Sequence, residues 1–249
     1  MTSAKNKTNA VLILGATSAI ARGAAVAFAE QKIPLFLAGR VQEELQRIAT
    51  DLTIRYDIPV KIGIFDADQM ELHSSFLNSA VQAMGGIEGV LLAFGYLSPQ
   101  SIFDPKETEN VIQRNFTGAV SILNLCAQYF SERKKGFIIG ISSVSGDRAR
   151  NNFIYGASKG AFSLYLQGLR RRLFIDGVRV ITIKPGFVDT PMTYGLKGMF
   201  LVADPDSVGK QIVKTLETSK DIVYLPWFWR YIMLIIKSIP ERIFKRLSI

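Results

Sequence analysis

One cysteine and one histidine stand among the 249 residues of the chain, and each scarcity removes a class of chemistry. Cys126 has no second cysteine to pair with, which excludes an intramolecular disulfide and a cysteine-cluster metal site; it reads as a small core residue in a chain suited to a reducing compartment. His73 by itself rules out a Ser-His-Asp triad and a histidine-based zinc site, so no metal is expected, and the residue reads as a surface or capping position. Acidic residues are in deficit too: 21 Asp and Glu against 30 Lys and Arg, a formal charge of +9. Such a field attracts nucleic acid, an anionic membrane or a phosphorylated ligand without choosing among them. No stretch reaches the ~20 apolar residues that span a bilayer; the C-terminal run from Tyr231 to Ile236 has six. Met1 to Asn9 is polar and lacks the apolar stretch of a secretory signal, so the expectation is a cytoplasmic protein.

What is present is a core: 48% of the residues are hydrophobic, enough for one large domain at this length. Short apolar runs recur at Val11 to Leu14, Leu35 to Ala38, Ile62 to Phe65, Val90 to Ala93, Phe137 to Ile141, Val178 to Ile183 and Ile222 to Leu225. They read as strands buried on both faces. Segments such as Ala21 to Gln31, Glu43 to Tyr56, Glu109 to Phe130 and Tyr155 to Phe174 are long enough to be crossover helices. Right-handed crossovers then give an α/β fold: one Rossmann-type, doubly wound, parallel seven-stranded sheet over residues 1–225, with residues 226–249 as a C-terminal amphipathic helical appendage. Ligands of that fold sit beyond the strand C-termini, so the residues following each run are the candidates for chemistry.

After the first run comes Gly15-Ala16-Thr17-Ser18-Ala19-Ile20-Ala21-Arg22, where a turn into a helix N-terminus offers backbone amides to a pyrophosphate. A tightly packed turn without nucleotide is the competing reading. The second run ends at Arg40, where an NAD enzyme needs an acid for the ribose 2′-hydroxyl; an arginine pairs instead with a 2′-phosphate, and Arg22 is a second cation for it, so NADP(H) is the expected cofactor. Tyr155 and Lys159 are four residues apart at the start of a helix and share one face. Ketone reduction needs an acid at the oxygen as hydride reaches carbon, and a tyrosine of pKa near ~10 needs a nearby cation to lower that value. Ser143, after the fifth run, offers a hydroxyl to the substrate carbonyl, with Ser142 as the competing assignment.

In this order these motifs resemble the short-chain dehydrogenase/reductase family over roughly residues 10–225. The resemblance implies that Gly15, Thr17, Ser18, Ala19, Ile20 and Arg22 cradle the phosphates, although the family's Gly-x-x-x-Gly-x-Gly stands here as Gly15, Ala19 and Ala21, whose methyls restrict positive φ and hold the backbone off the phosphate. It also implies that Asp66 and Ala67 border the adenine, and that Ala93 and Gly95 line the cofactor, with Ala93 replacing the usual asparagine. Asn115 stands where the family bends a long helix and holds a water that links the lysine to solvent. Ser143, three residues before Gly146, matches the family's Ser-x-x-Gly, although its spacing to Tyr155 is one residue shorter than the commoner one. Pro185 and Gly186 open the loop that contacts the nicotinamide through Val188, with Thr190 reaching the amide or pyrophosphate. A homo-oligomer formed through the helical segments Glu109 to Phe130 and Tyr155 to Phe174 is the family default. Nucleic acid is not an expected partner, because the cations lie among aliphatic side chains.

Both tryptophans lie in the C-terminal segment, with Arg230, Lys237, Arg242, Lys245 and Arg246 set against Glu241. An apolar line at Ile232, Ile236, Ile239, Ile243 and Leu247 suits an interfacial helix pair broken at Pro240, peripheral on the inner face of a membrane; a hairpin packed on the domain or on a second subunit is the alternative. Phe228 to Leu247, with Gly146 to Tyr155, is similar to the decaprenylphosphoryl-2-keto-erythro-pentose reductases. That resemblance implies a keto-sugar carried on a polyprenyl phosphate, with Arg148 and Arg150 near the lipid phosphate. A reductase of another hydrophobic ketone, of 3-ketoacyl or sphingoid type, and a non-catalytic NADP(H) sensor are the competing readings.

Overall fold

The structure is a computed structural model that describes residues 10–98, 103–149, 151–195 and 198–247. Seven parallel strands form one sheet in the order β3-β2-β1-β4-β5-β6-β7. The central strands β1 (Ala10–Leu14), β2 (Leu35–Gly39), β4 (Ile87–Leu92), β5 (Gly136–Ile141) and β6 (Val178–Pro185) are apolar throughout or nearly so, and side chains on both of their faces are covered. The edges depart from the expected burial on both faces: Ile64 in β3 (Val60–Ile64) is exposed, as is Ile222 in β7 (Ile222–Leu225). A strand with one neighbour has one side left for water, whatever its composition.

Helices cover the two faces. One layer is α1 (Ala19–Glu30), α2 (Gln42–Tyr56) and α7 (Pro205–Lys214), which pack Ala24, Phe28, Leu45, Leu52, Val208 and Ile212 on the sheet. Contact between α1 and α7 is close because Gly23 and Gly209 meet: a Cβ on Gly209 would lie 2.3 Å from the backbone nitrogen of Ala24. The other layer is α3 (His73–Met84), α5 (Gly118–Arg133) and α6 (Phe153–Leu173), with Leu77, Ile122, Cys126, Phe162 and Leu166 facing in. The single long helix expected over 109–130 is divided. Helix α4 (Pro105–Ile112), capped by Asp104, runs into a π-turn at Gln113–Thr117 before α5 begins. Because β1 is flanked by β2 on one side and β4 on the other, the chain turns in opposite directions beyond their ends and leaves a crevice there.

After β7 the chain forms α8 (Trp229–Ser238) and a short α9 (Glu241–Phe244), separated at Ile239 and Pro240. Trp229 and Met233 are buried with Val144, and Ile232 and Ile236 pack partly buried on this cluster. Two members of the apolar line expected to face outward therefore face inward, while Tyr231, Leu234 and Ile235 are exposed. Arg230 and Lys237 mark one polar side of α8, and the apolar arc that remains is wide enough that packing decides which part of it is covered. Among the described residues no helix is long and apolar enough to cross a membrane.

Candidate active site

The turn after β1 is shaped around Gly15. Its φ is +80°, and a Cβ there would stand 2.7 Å from the backbone nitrogen of Phe94, so glycine is required on both grounds. The Gly15 amide donates to Ala38 O (2.9 Å) and that of Ser18 to Gly15 O (3.1 Å), while the Ser18 hydroxyl caps α1 by accepting from Ala21 N. This leaves the amides of Ala19 and Ile20, the first two of the helix, which have no carbonyl four residues back to reach. Helix N-terminal amides of this kind fit a pyrophosphate. Ala19 and Ala21 both lie in α1 with helical backbone, so neither position needs positive φ, and the Ala21 methyl is buried in the core. Thr17 lies beside Gly39, and its carbonyl accepts from Arg22 Nε at 3.3 Å.

Arg40 is exposed immediately beyond β2, next to this turn. Past β3, Asp66 and Ala67 form the next rim, and the supporting contacts were not legible in the sequence. His73 is buried rather than at the surface: its Nε2–H donates to the Asp66 carbonyl at 3.1 Å, its Nδ1 accepts from the Ser121 hydroxyl at 2.9 Å, and the ring stacks on Phe65. Burial lowers its pKa and favours the neutral ring that this pattern needs. Gly118 brings α5 against Ala67, where a Cβ would lie 2.2 Å from the Ala67 carbonyl oxygen. Asp68, in the same loop, pairs with Arg114 at 2.8 Å, and the Arg114 guanidinium stacks on the Tyr96 ring.

Ser143, Tyr155 and Lys159 come together beyond β5. The Ser143 and Tyr155 side chains are hydrogen-bonded. Ser142 points elsewhere, with its Oγ donating to Lys159 O (2.9 Å) and within 2.7 Å of Ser163 Oγ, so Ser143 is the serine at the tyrosine. Gly146 lets this loop lie on α6, since a Cβ would stand 2.7 Å from the Gly160 nitrogen. Lys159 is buried, donates from Nζ to Ile141 O at 3.0 Å, and lies 5.9 Å from the centre of the Tyr155 ring. Burial pushes the Tyr155 phenol up to about 12 and the Lys159 ammonium down to about 8. The expected lowering of the tyrosine pKa by the lysine is not seen: desolvation raises it, and the Ser143 hydroxyl is what opposes the rise.

Asn115 sits in the π-turn, buried, with its amide donating to Tyr96 O (2.8 Å) and Ser158 Oγ (3.1 Å) and accepting from Tyr96 N (2.6 Å). Such bulges within helices recur at functional sites. Gly95 is between them: a Cβ there would lie 3.3 Å from Lys159 Nζ and 3.5 Å from Asn115 Oδ1. Ala93 holds the end of β4 to Leu14 through its backbone (2.8 Å), and its methyl leaves room without adding a donor.

Pro185 ends β6, and the loop beyond it is folded back on itself. Val188 is buried and bridges to Ala203, while the Thr190 hydroxyl lies 3.1 Å from that of Thr193 and is held within the loop. Gly186 lies flat on Trp229, where a Cβ would fall 1.9 Å from the indole nitrogen. The C-terminal segment therefore reaches the loop after β6 directly. Arg148 turns toward that segment as well: it donates to Glu241 at 2.7 Å and to Ile239 O at 3.2 Å, and stacks on Phe244. These contacts occupy the guanidinium assigned from sequence to a lipid phosphate. Arg150 lies outside the described residues. Beneath the loop, Asp147 accepts from Lys184 and from the Tyr224 hydroxyl (2.5 Å), binding it to β6 and β7.

The sequence and the fold are matched by known proteins. The family model described as short chain dehydrogenase matches residues 9–198. A curated relative, an uncharacterized oxidoreductase of Streptomyces coelicolor from the region 5′ of mprA, is 34% identical over 243 residues, 96% of each chain. Among solved structures, an actinorhodin polyketide ketoreductase variant with NADPH superposes with a TM-score of 0.79 at 17% identity, covering 89% of this chain and 97% of its own. An NAD+-bound xylitol dehydrogenase superposes at 0.78 and 18%, covering 88% and 98%. The structural likenesses carry the fold, and the matched sequence carries the family: the chain belongs to the short-chain dehydrogenases and is an oxidoreductase of that family.

Proposed function

We propose that the protein uses NADPH to reduce a ketone on a hydrophobic, lipid-linked substrate, most specifically a 2-keto-pentose carried on a polyprenyl phosphate, while bound peripherally at the inner face of a membrane. The observation that carries the reductase reading is the convergence of Ser143, Tyr155, Lys159 and Asn115 at the sheet's C-terminal edge, across the crevice from Gly15. The amides of Ala19 and Ile20 would hold the pyrophosphate, and Arg40 with Arg22 the 2′-phosphate; the bound dinucleotide would supply hydride. Ser143 donates to the substrate carbonyl and orients it. Tyr155, its pKa raised by burial, is protonated at neutral pH and gives its proton to the oxygen as negative charge develops there. The Lys159 ammonium stabilises the phenolate left behind, and Asn115 keeps the helix open beside it. Support for an apolar substrate comes from Phe187, Val144 and Trp229, which make the wall beside this site hydrocarbon.

The test follows loss of NADPH absorbance with a polyprenylphosphoryl 2-keto-pentose in detergent. Turnover in the wild type and a ~10²–10⁴-fold loss in Tyr155→Phe, with NADPH binding kept, are expected. Arg40→Asp should weaken NADPH and strengthen NADH. Equal turnover of water-soluble ketones would remove the lipid substrate from the reading, and preference for a 3-ketoacyl or sphingoid ketone would move it to that class.

A further inference from the structure

We infer that the outward face of α8 and α9 is a docking surface for an anionic lipid bilayer, and that it differs from the face carrying Ile232 and Ile236. The inference rests on the proposed lipid-linked substrate and names the surface on which that substrate is met. Its apolar part is Trp227, Tyr231, Leu234, Ile235, Ile243 and Leu247, all exposed, with Trp227, Leu234 and Ile235 at 69%, 64% and 67%. These are side chains that a helix buried on a domain turns inward, and a patch of this composition on a free surface marks an interaction site. Trp227 and Tyr231 lie edge to face at its rim, the depth in a bilayer where amphipathic rings settle.

Charge selects the occupant. Arg230, Lys237, Arg242, Lys245 and Arg246 surround the patch and are exposed, and the segment's one acid, Glu241, is already paired with Arg148. A second copy of the chain meeting this face in a two-fold dimer would bring five cations against five, a repulsive pairing. Anionic headgroups complement the same five.

Docking here also has a consequence for the site. Rings run in contact from the cofactor-facing loop to the patch: Phe187 with Phe200 and Trp229 at 5.7 Å each, Trp229 with Phe228 at 6.4 Å, Phe228 with Trp227 at 6.1 Å, and Trp227 with Tyr231 at 6.0 Å. Trp229 is buried beneath this line, and the more exposed Phe200, Trp227 and Tyr231 are the rings that a lipid chain leaving the bilayer would meet.

Flotation of the full chain with vesicles tests the inference without any substrate. Vesicles of about one-third phosphatidylglycerol in phosphatidylcholine, against phosphatidylcholine alone, are compared at low and high salt. Wild type should float with the anionic vesicles, at least tenfold less with neutral ones, and less as salt rises. Leu234→Glu with Ile235→Glu should reduce flotation by tenfold or more and leave NADPH-dependent reduction of a soluble ketone unchanged. Equal flotation of wild type and variant, or none of the wild type, overturns the docking surface. A wild-type oligomer that the variant breaks, seen by light scattering without vesicles, also overturns it and gives the face to a second copy. Failure to reduce the polyprenylphosphoryl 2-keto-pentose in detergent, with flotation intact, would instead strike the proposed reaction and leave the surface standing.

Discussion

At the scale of single residues the pair Tyr155 and Lys159 sets a pH signature. Lys159 is charged below about 8 and loses its proton as pH rises through that value, whereas Tyr155 at about 12 keeps its proton over the whole working range. Reductive kcat/KM should therefore be level at lower pH and fall above about 8, and Lys159→Arg, whose guanidinium does not deprotonate, should lose that falling limb even where its rate is low. An unchanged limb in the variant would assign it to another group. Tyr155, Lys159 and Arg40 were readable because few other residue types perform their chemistry and because each follows an apolar run. The choice between Ser142 and Ser143 was not settled by the residues alone; it turned on which hydroxyl met Ser163 and which met Tyr155. His73 was misread for a related reason, since nothing near it in the chain announces the Ser121 hydroxyl, 48 positions away, that makes burial acceptable.

At the scale of elements the segment after β7 carries the largest correction. Trp229 is fully buried against Gly186, so Trp229→Ala should destabilise the protein by about 3–5 kcal/mol and disturb cofactor binding through the loop, whereas Leu234→Ala on the opposite face should cost under about 1 kcal/mol. Denaturant unfolding of the two variants checks this; equal costs would mean that α8 is not anchored by its tryptophan. The sequence pattern could locate this helix and its break at Pro240 but not its inner face, because its apolar arc is wider than the part that packing covers. The π-turn at Asn115 was similarly hidden as geometry. Its register depends on the buried asparagine binding both Tyr96 and Ser158, one contact from a neighbouring loop and the other from α6.

At the scale of the whole molecule, the remaining large exposed apolar side chains include Leu164 on α6 and Phe174 and Ile175 just after it, at 69%, 80% and 79%. The expected homo-oligomer would bury them, and light scattering should show an assembly that Leu164→Glu reduces toward a monomer; an unchanged mass would place any interface elsewhere. The doubly wound parallel sheet was accessible from sequence because apolar runs, crossover lengths and the handedness of the connections leave few alternatives. Composition also excluded triads and histidine zinc sites before any contact was known. The sequence by itself thus determined the sheet, the positions where chemistry could reside and the residue types that perform it, since these follow from local periodicity and side-chain chemistry. Only the tertiary structure decided which serine meets the tyrosine, that Arg148 binds the C-terminal segment, that Ala19 and Ala21 take helical backbone and which face of α8 is covered. Each of these depends on contacts between residues distant in the chain, and no local pattern encodes them.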